Sequence, residues 1–160
     1  MKEISLADVE LAVKTIADTA LRNEKYFSEL DSAAGDADFG VSLASGFKVV
    51  KKDWEQLDRS SIGAFLLKIS MIISRHVGGC SGPIWGTGFM RAGALCRDKQ
   101  SLSLDDLDKM LTASIEGIQQ RGGASAGDKT LLDALIPIRD TVHEHAGRAD
   151  ADPAEVLREA

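Results

Sequence analysis

The 160-residue sequence has only two cysteines, three prolines and no long uninterrupted apolar run. Cys80 and Cys96 are too few for a disulfide framework, and they lack the C-x-x-C or Cys/His spacing of a zinc site. The longest apolar stretch, Ile62 to Val77, is broken by charged and polar residues and stays below the ~18 apolar residues typical of a membrane span. We therefore expect neither a disulfide scaffold nor a zinc domain nor a membrane protein, and we interpret this stretch as a core helix.

Basic residues are also scarce. The 19 lysines and arginines are outnumbered by 25 aspartates and glutamates, which gives a formal net charge of -6. Without a broad basic surface, nucleic acid is not an expected partner. The content of 44% hydrophobic and 28% charged residues is that of a globular domain rather than a disordered chain. The segment Met1 to Asp8 carries acidic residues and no apolar signal-peptide core, so we expect a cytoplasmic protein.

Apolar residues recur at intervals of three and four through most of the chain, which is the spacing of amphipathic helices. The predicted helices cover residues 6–29, a run through Leu43, Phe47, Val50 and Trp54, a run from Ser60 or Ser61 to Val77, residues 83–98, residues 104–120 and a run from Lys129 to Val142, and a further helix starts at Asp152-Pro153. No segment alternates with period two, and no Asn-Gly or Asp-Gly hairpin signal separates apolar runs. We therefore predict one all-α domain over residues 1–160, an antiparallel barrel or bundle of about six to eight helices.

Three connections between the predicted helices are rich in glycine and polar residues: residues 31–40, 78–82 and 122–128. Each follows an odd-numbered helix, and short connections imply antiparallel neighbours. These three loops should therefore lie at the same end of the domain. We also predict that Asp128 caps the helix after the third loop and that Pro137 kinks that helix or removes one of its backbone hydrogen bonds.

The first of these loops carries three aspartates, Asp31, Asp36 and Asp38, beside Gly35 and Gly40. The glycines allow the loop to curl until the carboxylates face inward, and carboxylate oxygens are the ligands that Mg²⁺ and Ca²⁺ prefer. Without a cation, two carboxylates about 4 Å apart repel by about 1–4 kcal/mol. The alternative interpretation is that the aspartates form turns and that Asp38 caps the following helix. The calcium-binding pattern of an EF-hand is absent.

The second loop, Gly78-Gly-Cys-Ser-Gly82, lies directly before a predicted helix. Bare backbone N–H groups, the Ser81 hydroxyl and a helix N-terminus together are typical of a phosphate-binding nest. The alternative is a helix–helix turn in which glycine permits close packing. We interpret Cys80 as an ordinary small thiol, because the sequence shows no activating base for it.

The third loop resembles a Walker A loop only superficially. Asp128 separates Gly127 from Lys129, so the register of G-x-x-x-x-G-K-[ST] is broken. A predicted helix precedes the loop, whereas a P-loop follows a β-strand. We therefore reject a P-loop NTPase.

These three glycine-rich segments form long motifs. The first, Leu30-Asp-Ser-Ala-Ala-Gly-Asp-Ala-Asp-Phe-Gly40, is similar to the pattern L-D-x-x-I-G-D-[AG]-D-H-G. The second is Gly78-Gly-Cys-Ser-Gly-Pro-Ile-Trp-Gly-Thr87, and the third runs from Arg121-Gly122 through Gly127-Asp-Lys-Thr-Leu-Leu-Asp133. In this order they resemble the motifs of the nucleotide-binding subunit of dihydroxyacetone kinase, and the resemblance extends over nearly the whole chain.

The resemblance implies an α-helical barrel that binds ADP or ATP at one end through two Mg²⁺ ions held by Asp31, Asp36 and Asp38. The other residues that it implies for nucleotide binding are Phe39, Gly40, Val41 and Ser42 and Gly79, Cys80, Ser81 and Gly82 at the phosphates, and Gly122 and Leu131 at the adenine. It also implies that a separate substrate-binding subunit holds dihydroxyacetone, the phosphoryl acceptor. In some members of the family a phosphotransferase-system protein rephosphorylates bound ADP, and in others ATP is the direct donor.

The sequence departs from the family pattern in two ways. Phe39 stands where the family has histidine and Ser42 where it has asparagine, so we expect altered phosphate handling, with Phe39 still contributing its backbone N–H. Family members run about forty to fifty residues further, adding a glycine-rich segment over the nucleotide and a final helix that closes the barrel. We therefore expect either a fragment of a longer protein or a shortened homologue, and exposed apolar helix faces would favour the fragment or a covering partner.

These features predict a Mg²⁺-dependent, ADP/ATP-binding phosphotransferase subunit of a dihydroxyacetone kinase, active only with its substrate-binding partner. We expect no catalytic residue beyond the metal and nucleotide site, and we interpret His76, His143 and His145 as structural or solvent-facing. The alternative is a non-catalytic nucleotide-binding or regulatory module of the same fold. Another short keto-sugar as acceptor and a homo-oligomeric state both stay open.

Overall fold

The computed structural model describes residues 3–148 and 150–160. Its helices are α1 (Leu6–Arg22), α2 (Glu24–Asp31), α3 (Phe39–Lys52), α4 (Ile62–His76), α5 (Ser81–Leu95), α6 (Leu104–Gly122), α7 (Leu132–His145) and α8 (Pro153–Glu159). A 3-10 turn covers Trp54–Gln56, and β1 (Ile4–Ser5) pairs antiparallel with β2 (Ser101–Leu102). The predicted all-α class is confirmed, with this two-residue ladder as the only strand pairing in the part of the chain that the structure describes. Met1, Lys2 and Ala149 of the predicted domain lie outside the described residues.

Two of the predicted helices end earlier than expected. The predicted helix over residues 6–29 is divided at Asn23, whose side-chain amide donates to the Thr19 carbonyl oxygen at 2.9 Å. Asparagine offers the backbone this local alternative to helical hydrogen bonds, and α2 then starts anew. Trp54 lies in the 3-10 turn rather than in the second predicted helix, and its ring packs edge-on against Phe65 with 5.7 Å between centroids.

The start of α7 also differs from the prediction. The helix begins at Leu132, and the Asp128 carboxylate accepts the N–H of Ser125 at 2.8 Å instead of capping it. Asp128 precedes the N-cap position, Leu131, by three residues, so the expected cap is wrong by that distance along the chain. Pro137 lies inside α7 without ending the helix, and because proline has no N–H, one backbone hydrogen bond of the helix is missing there.

Neighbouring helices pack antiparallel, as predicted. The N–H of Gly63 in the first turn of α4 donates to the carbonyl of Cys96, just after the end of α5, at 3.1 Å. At the other end of the same pair, a Cβ built on Gly82 would lie 2.3 Å from the Val77 carbonyl oxygen. Helix α6 runs back along α5, where the Ser114 hydroxyl donates to the Gly88 carbonyl at 2.9 Å. This arrangement brings the connections after α2, α4 and α6 to one end of the domain.

The main core lies among α1, α3, α4 and α5. Its largest fully buried side chains include Phe47, Phe65, Ile69 and Ile73, three of them from α4, as expected for a core helix. Burial raises the pKa of the Cys96 thiol to about 11, which keeps that thiol protonated. Among the described residues, no helix combines the length and the apolar character needed to cross a membrane.

The contact between α4 and α5 generates a stability prediction. A Cβ on Gly63 would lie 2.4 Å from Arg97 Cα and 2.6 Å from the Cys96 carbonyl oxygen, and neither backbone atom can move aside cheaply. We expect Gly63→Ala to lower the free energy of unfolding in urea by about 1–3 kcal/mol. Gly88→Ala is the matched control, since its Cβ would meet only the flexible end of Ile118 at 3.3 Å and helical alanine is preferred over glycine by about 0.5–1 kcal/mol. Equal stability of the two variants would contradict this packing.

Candidate functional site

Asp31, Asp36 and Asp38 converge at the start of α3. One carboxylate oxygen from each residue lies within 4.8 Å of the others, with Asp31 half-buried and the other two exposed. Ala37 adopts the left-handed conformation, with φ of 63°, and so reverses the chain between Asp36 and Asp38. Three converging carboxylates are a set of hard oxygen donors that fits Mg²⁺ or Ca²⁺.

The electrostatics of this cluster also fit a cation. Desolvation, followed by the negative charges of Asp36 and Asp31, raises the pKa of Asp38 above its usual value. The ionised cluster therefore costs stability in the absence of a cation, and this cost falls as the pH drops and Asp38 takes up a proton. A divalent ion among the carboxylates would favour their ionised forms instead.

Asp31 also caps α3. Its Oδ2 atom accepts the backbone N–H groups of Asp38 at 3.1 Å and of Phe39 at 3.3 Å. The alternative interpretation gave this role to Asp38, but the Asp38 side chain makes no capping hydrogen bond. The cap leaves the N–H groups of Gly40 and Val41 in the first turn without an intrahelical acceptor, whereas that of Ser42 donates to the Asp38 carbonyl at 2.8 Å.

Close packing of α3 on α2 makes this cap geometrically feasible. A Cβ on Gly40 would lie 1.9 Å from the Glu24 carbonyl oxygen and 2.7 Å from the Ser28 hydroxyl. Only glycine permits such an approach, which brings the last residue of α2, Asp31, within reach of the first turn of α3. The position of the acidic cluster is therefore determined by backbone packing between two helices.

The second loop lies against this first turn of α3. A Cβ on Gly78 would come 2.7 Å from Ser42 Oγ, and the Ser42 hydroxyl in turn interacts with the Asp38 carboxylate. Gly79 is left-handed, with φ of 59°, and leads to Cys80, which is exposed at the N-cap position of α5. Ser81 and the buried Gly82 are the first residues of α5. The N-termini of α3 and α5 thus adjoin one another beside the three carboxylates.

The third loop reaches the same region from the other side of α5. A Cβ on Gly122 would lie 2.9 Å from Ile84 Cδ1, in the first turn of α5. Leu131 and Ala124 belong to the same apolar cluster as Ile84, together with the buried Leu132. The predicted convergence of the three loops at one end is confirmed, and Gly122 and Leu131 form an apolar side of the region.

Phe39 makes apolar contacts at the edge of the acidic cluster. Its ring lies 6.3 Å from that of Phe27, and with Leu30, Asp31 and Ala34 it lines a cavity of about 340 Å³. Its backbone N–H, which was expected to contribute to phosphate handling, donates instead to Asp31 Oδ2 at 3.3 Å. Phe39 therefore supplies no side-chain donor where the family pattern has histidine.

The sequence reasoning missed Asp133. Its carboxylate accepts the N–H of Gly127 at 2.5 Å and that of Thr130 at 2.8 Å, and these two bonds lower its pKa. The spacing Thr130-Leu-Leu-Asp133 matches the capping-box pattern [ST]-x-x-[DE], which was the available signal.

Two of the three histidines lie at the end of α7 away from the third loop, whereas His76 lies two residues before the second loop. His143 Nδ1 is 3.0 Å from Asp108 Oδ2, and His145 Nε2 is 3.8 Å from Glu159 Oε2, both in the last turn of α7, whereas the third loop precedes its first turn. His76 is exposed in the last turn of α4.

Comparisons with known proteins place the chain in a family. The DAK2 domain matches residues 33–160, which begin two residues after Asp31. The ADP-binding subunit of PEP-dependent dihydroxyacetone kinase 2 from Listeria innocua is 37% identical over 85% of this chain, and the chain spans only 63% of that subunit. L-erythrulose 1-kinase from Mycolicibacterium smegmatis is 30% identical over 96% of this chain and 28% of the relative.

A solved structure shares the fold. The crystal structure of the dihydroxyacetone kinase of C. freundii superposes with a TM-score of 0.75 and 24% identity, over 87% of this chain and 25% of that one. The DAK2 match over residues 33–160, which is most of the chain, shows that the protein belongs to the DAK2 domain family, as its three motifs predicted.

Proposed function

We propose that the chain is the Mg²⁺-dependent, ADP- or ATP-binding phosphotransfer module of a dihydroxyacetone-type kinase that acts with a separate substrate-binding subunit. The observation that carries this proposal is the meeting of three carboxylates with the N-termini of α3 and α5. The names of the relatives, an ADP-binding kinase subunit and a keto-sugar kinase, support it.

Different residues of the site would bind the metal ions, the phosphates and the base. Asp31, Asp36 and Asp38 would hold two Mg²⁺ ions, which when bound neutralise charge on the phosphate oxygens. The free N–H groups of Gly40 and Val41 and the first turn of α5, with Ser81, would bind phosphate oxygens in the positive field of two helix N-termini. Gly122 and Leu131 would line the base. Phosphoryl transfer depends mainly on such positioning and charge neutralisation, so the chain needs no base of its own.

The donor and the acceptor follow from the same proposal. If the chain retains ADP, a phosphotransferase-system protein would rephosphorylate that bound ADP to ATP, in line with the PEP-dependent relative, whereas in the alternative exchangeable ATP would serve as the direct donor. Dihydroxyacetone or another short keto-sugar would be bound by the partner subunit. We propose a cytoplasmic location for this reaction. The oligomeric state of the chain is to be measured with the substrate-binding subunit present.

Nucleotide binding is the first test of this function. We expect ADP with Mg²⁺, at about 100 times its dissociation constant, to stabilise the wild-type chain by about 2.7 kcal/mol in thermal melts, and EDTA to remove the shift. Transfer to dihydroxyacetone is then measured with the substrate-binding subunit added. A melting temperature that is unmoved by nucleotide and metal would contradict the proposal.

The cluster of three aspartates generates a separate prediction. Asp36→Asn should abolish the Mg²⁺-dependent part of ADP binding, because it removes one of three converging carboxylates. In EDTA the same variant should melt at a higher temperature than wild type, because it removes a charge that raises the pKa of Asp38. Circular dichroism checks that the helices persist, and Asp98→Asn, at an exposed carboxylate elsewhere, is the control. Loss of helical structure in Asp36→Asn would instead favour a turn-forming role.

A second candidate function, a nucleotide-binding regulatory module without transfer, is favoured by Phe39. We expect Phe39→His to supply a side-chain donor and to tighten ADP–Mg²⁺ binding or raise turnover about 10–150-fold, as one hydrogen bond to a charged group, which contributes about 1.5–3 kcal/mol, would. Phe39→Leu keeps the apolar contact with Phe27 but adds no donor, so it should change neither quantity.

If the histidine variant behaves like the leucine variant, Phe39 does not explain altered phosphate handling. A wild-type chain that binds ADP but transfers nothing with the partner present would favour the regulatory module.

A further inference from the structure

Asp133 ties the third loop to the start of α7 at two points. Its Oδ2 accepts the N–H of Thr130 at 2.8 Å, which is an ordinary bond at a helix start. Its Oδ1 accepts the N–H of Gly127 at 2.5 Å, six residues back along the chain. The second bond lies too far from the helix to serve as a cap, and it closes the loop upon itself.

The loop needs this restraint. Between the two bonds the backbone is left-handed at Gly127, with φ of 91°, and at Lys129, with φ of 59°. A residue with a side chain rarely adopts this conformation, and such positions persist where surrounding contacts over-determine them. The two N–H groups also lower the pKa of Asp133, because they stabilise its ionised form.

The closed loop forms an apolar wall beside the phosphate region. Ala124, in the third loop, and Leu131, which directly precedes α7, pack in one cluster with Ile84. Ile84 lies in the first turn of α5, three residues after Ser81, and its backbone N–H donates to the Cys80 carbonyl at 3.2 Å. If the phosphates of a nucleotide lie at the start of α5, its base would therefore contact this apolar wall. The carboxylate cluster, which would contact the metal and the phosphates, is built by other helices, α2 and α3.

We propose that Asp133 is a positioning residue that holds the third loop as the base-side wall, and so governs affinity for the nucleoside part of the ligand but not for its diphosphate and metal. This inference rests on the proposed function, and it separates two halves of the site that the fold builds from different helices.

Calorimetric titration of the full chain with two probes, ADP and inorganic pyrophosphate, each with Mg²⁺, tests the inference. Asp133→Ala removes both acceptors and should weaken ADP binding about 10-fold while changing pyrophosphate binding less than about 2-fold. Asp133→Asn keeps the volume and one carbonyl acceptor, so it should fall between wild type and alanine. Asp140→Asn, on the same helix and paired with Arg139, is the matched control and should change neither affinity.

Each other outcome overturns the inference. Unchanged ADP affinity in Asp133→Ala means that the loop does not contact the nucleoside. Equal losses for ADP and pyrophosphate mean that Asp133 supports the fold in general, and circular dichroism with thermal melting identifies that case. If Asp133→Ala does not fold, the ratio of the two affinities in Asp133→Asn decides the question. A wild-type chain that binds neither probe removes the proposed function itself, which is a different result from a variant that loses ADP alone.

Discussion

The carboxylate of Asp31 joins the end of α2 to the start of α3, and the rest of the site depends on that contact. By accepting the N–H groups of Asp38 and Phe39, it fixes where α3 begins. Gly40 makes the contact feasible, because any side chain there would strike the backbone of α2. The same carboxylate takes part in the acidic cluster, so one side chain sets both the positions of the other aspartates and the direction of the free N–H groups.

Positive helix N-termini and negative carboxylates lie side by side in the candidate site. Helix N-termini attract anions, and here they face both the phosphates that the proposed function requires and the protein's own carboxylates. Carboxylates and phosphates repel each other unless cations lie between them. Nucleotide and divalent ion should therefore bind as a coupled pair, each weak without the other, and the raised pKa of Asp38 is the sign of that imbalance in the protein alone.

Much of this arrangement could be predicted from the sequence. Apolar spacing of three and four located the helices, and their parity brought the three loops together, since neither depends on the details of packing. The missed features are local competitions between side chains and backbone: Asn23 divides the first helix, and Asp31 caps α3 where Asp38 was expected to do so. At the start of α7 the side chain that accepts a backbone N–H is that of Asp133, inside the first turn, and not that of Asp128. These hydrogen bonds depend on interatomic distances that are set by close helix packing, as at Gly40. The spacing of apolar residues in the sequence does not determine such distances. The roles of individual site residues in binding stay predictions.

The small ladder between β1 and β2 affects how the chain reaches this structure. Ile4 pairs with Leu102, and the Ser101 hydroxyl donates to Glu3, across nearly one hundred residues. Most helices pack against the next helix along the chain, so they can assemble by closing short loops. The ladder instead closes the long loop between Ser5 and Ser101, and the entropic cost of loop closure grows logarithmically with loop length. Pairing of these strands should therefore be a late event in folding and an early one in unfolding, so that the N-terminal segment detaches while the helices that build the site are still assembled.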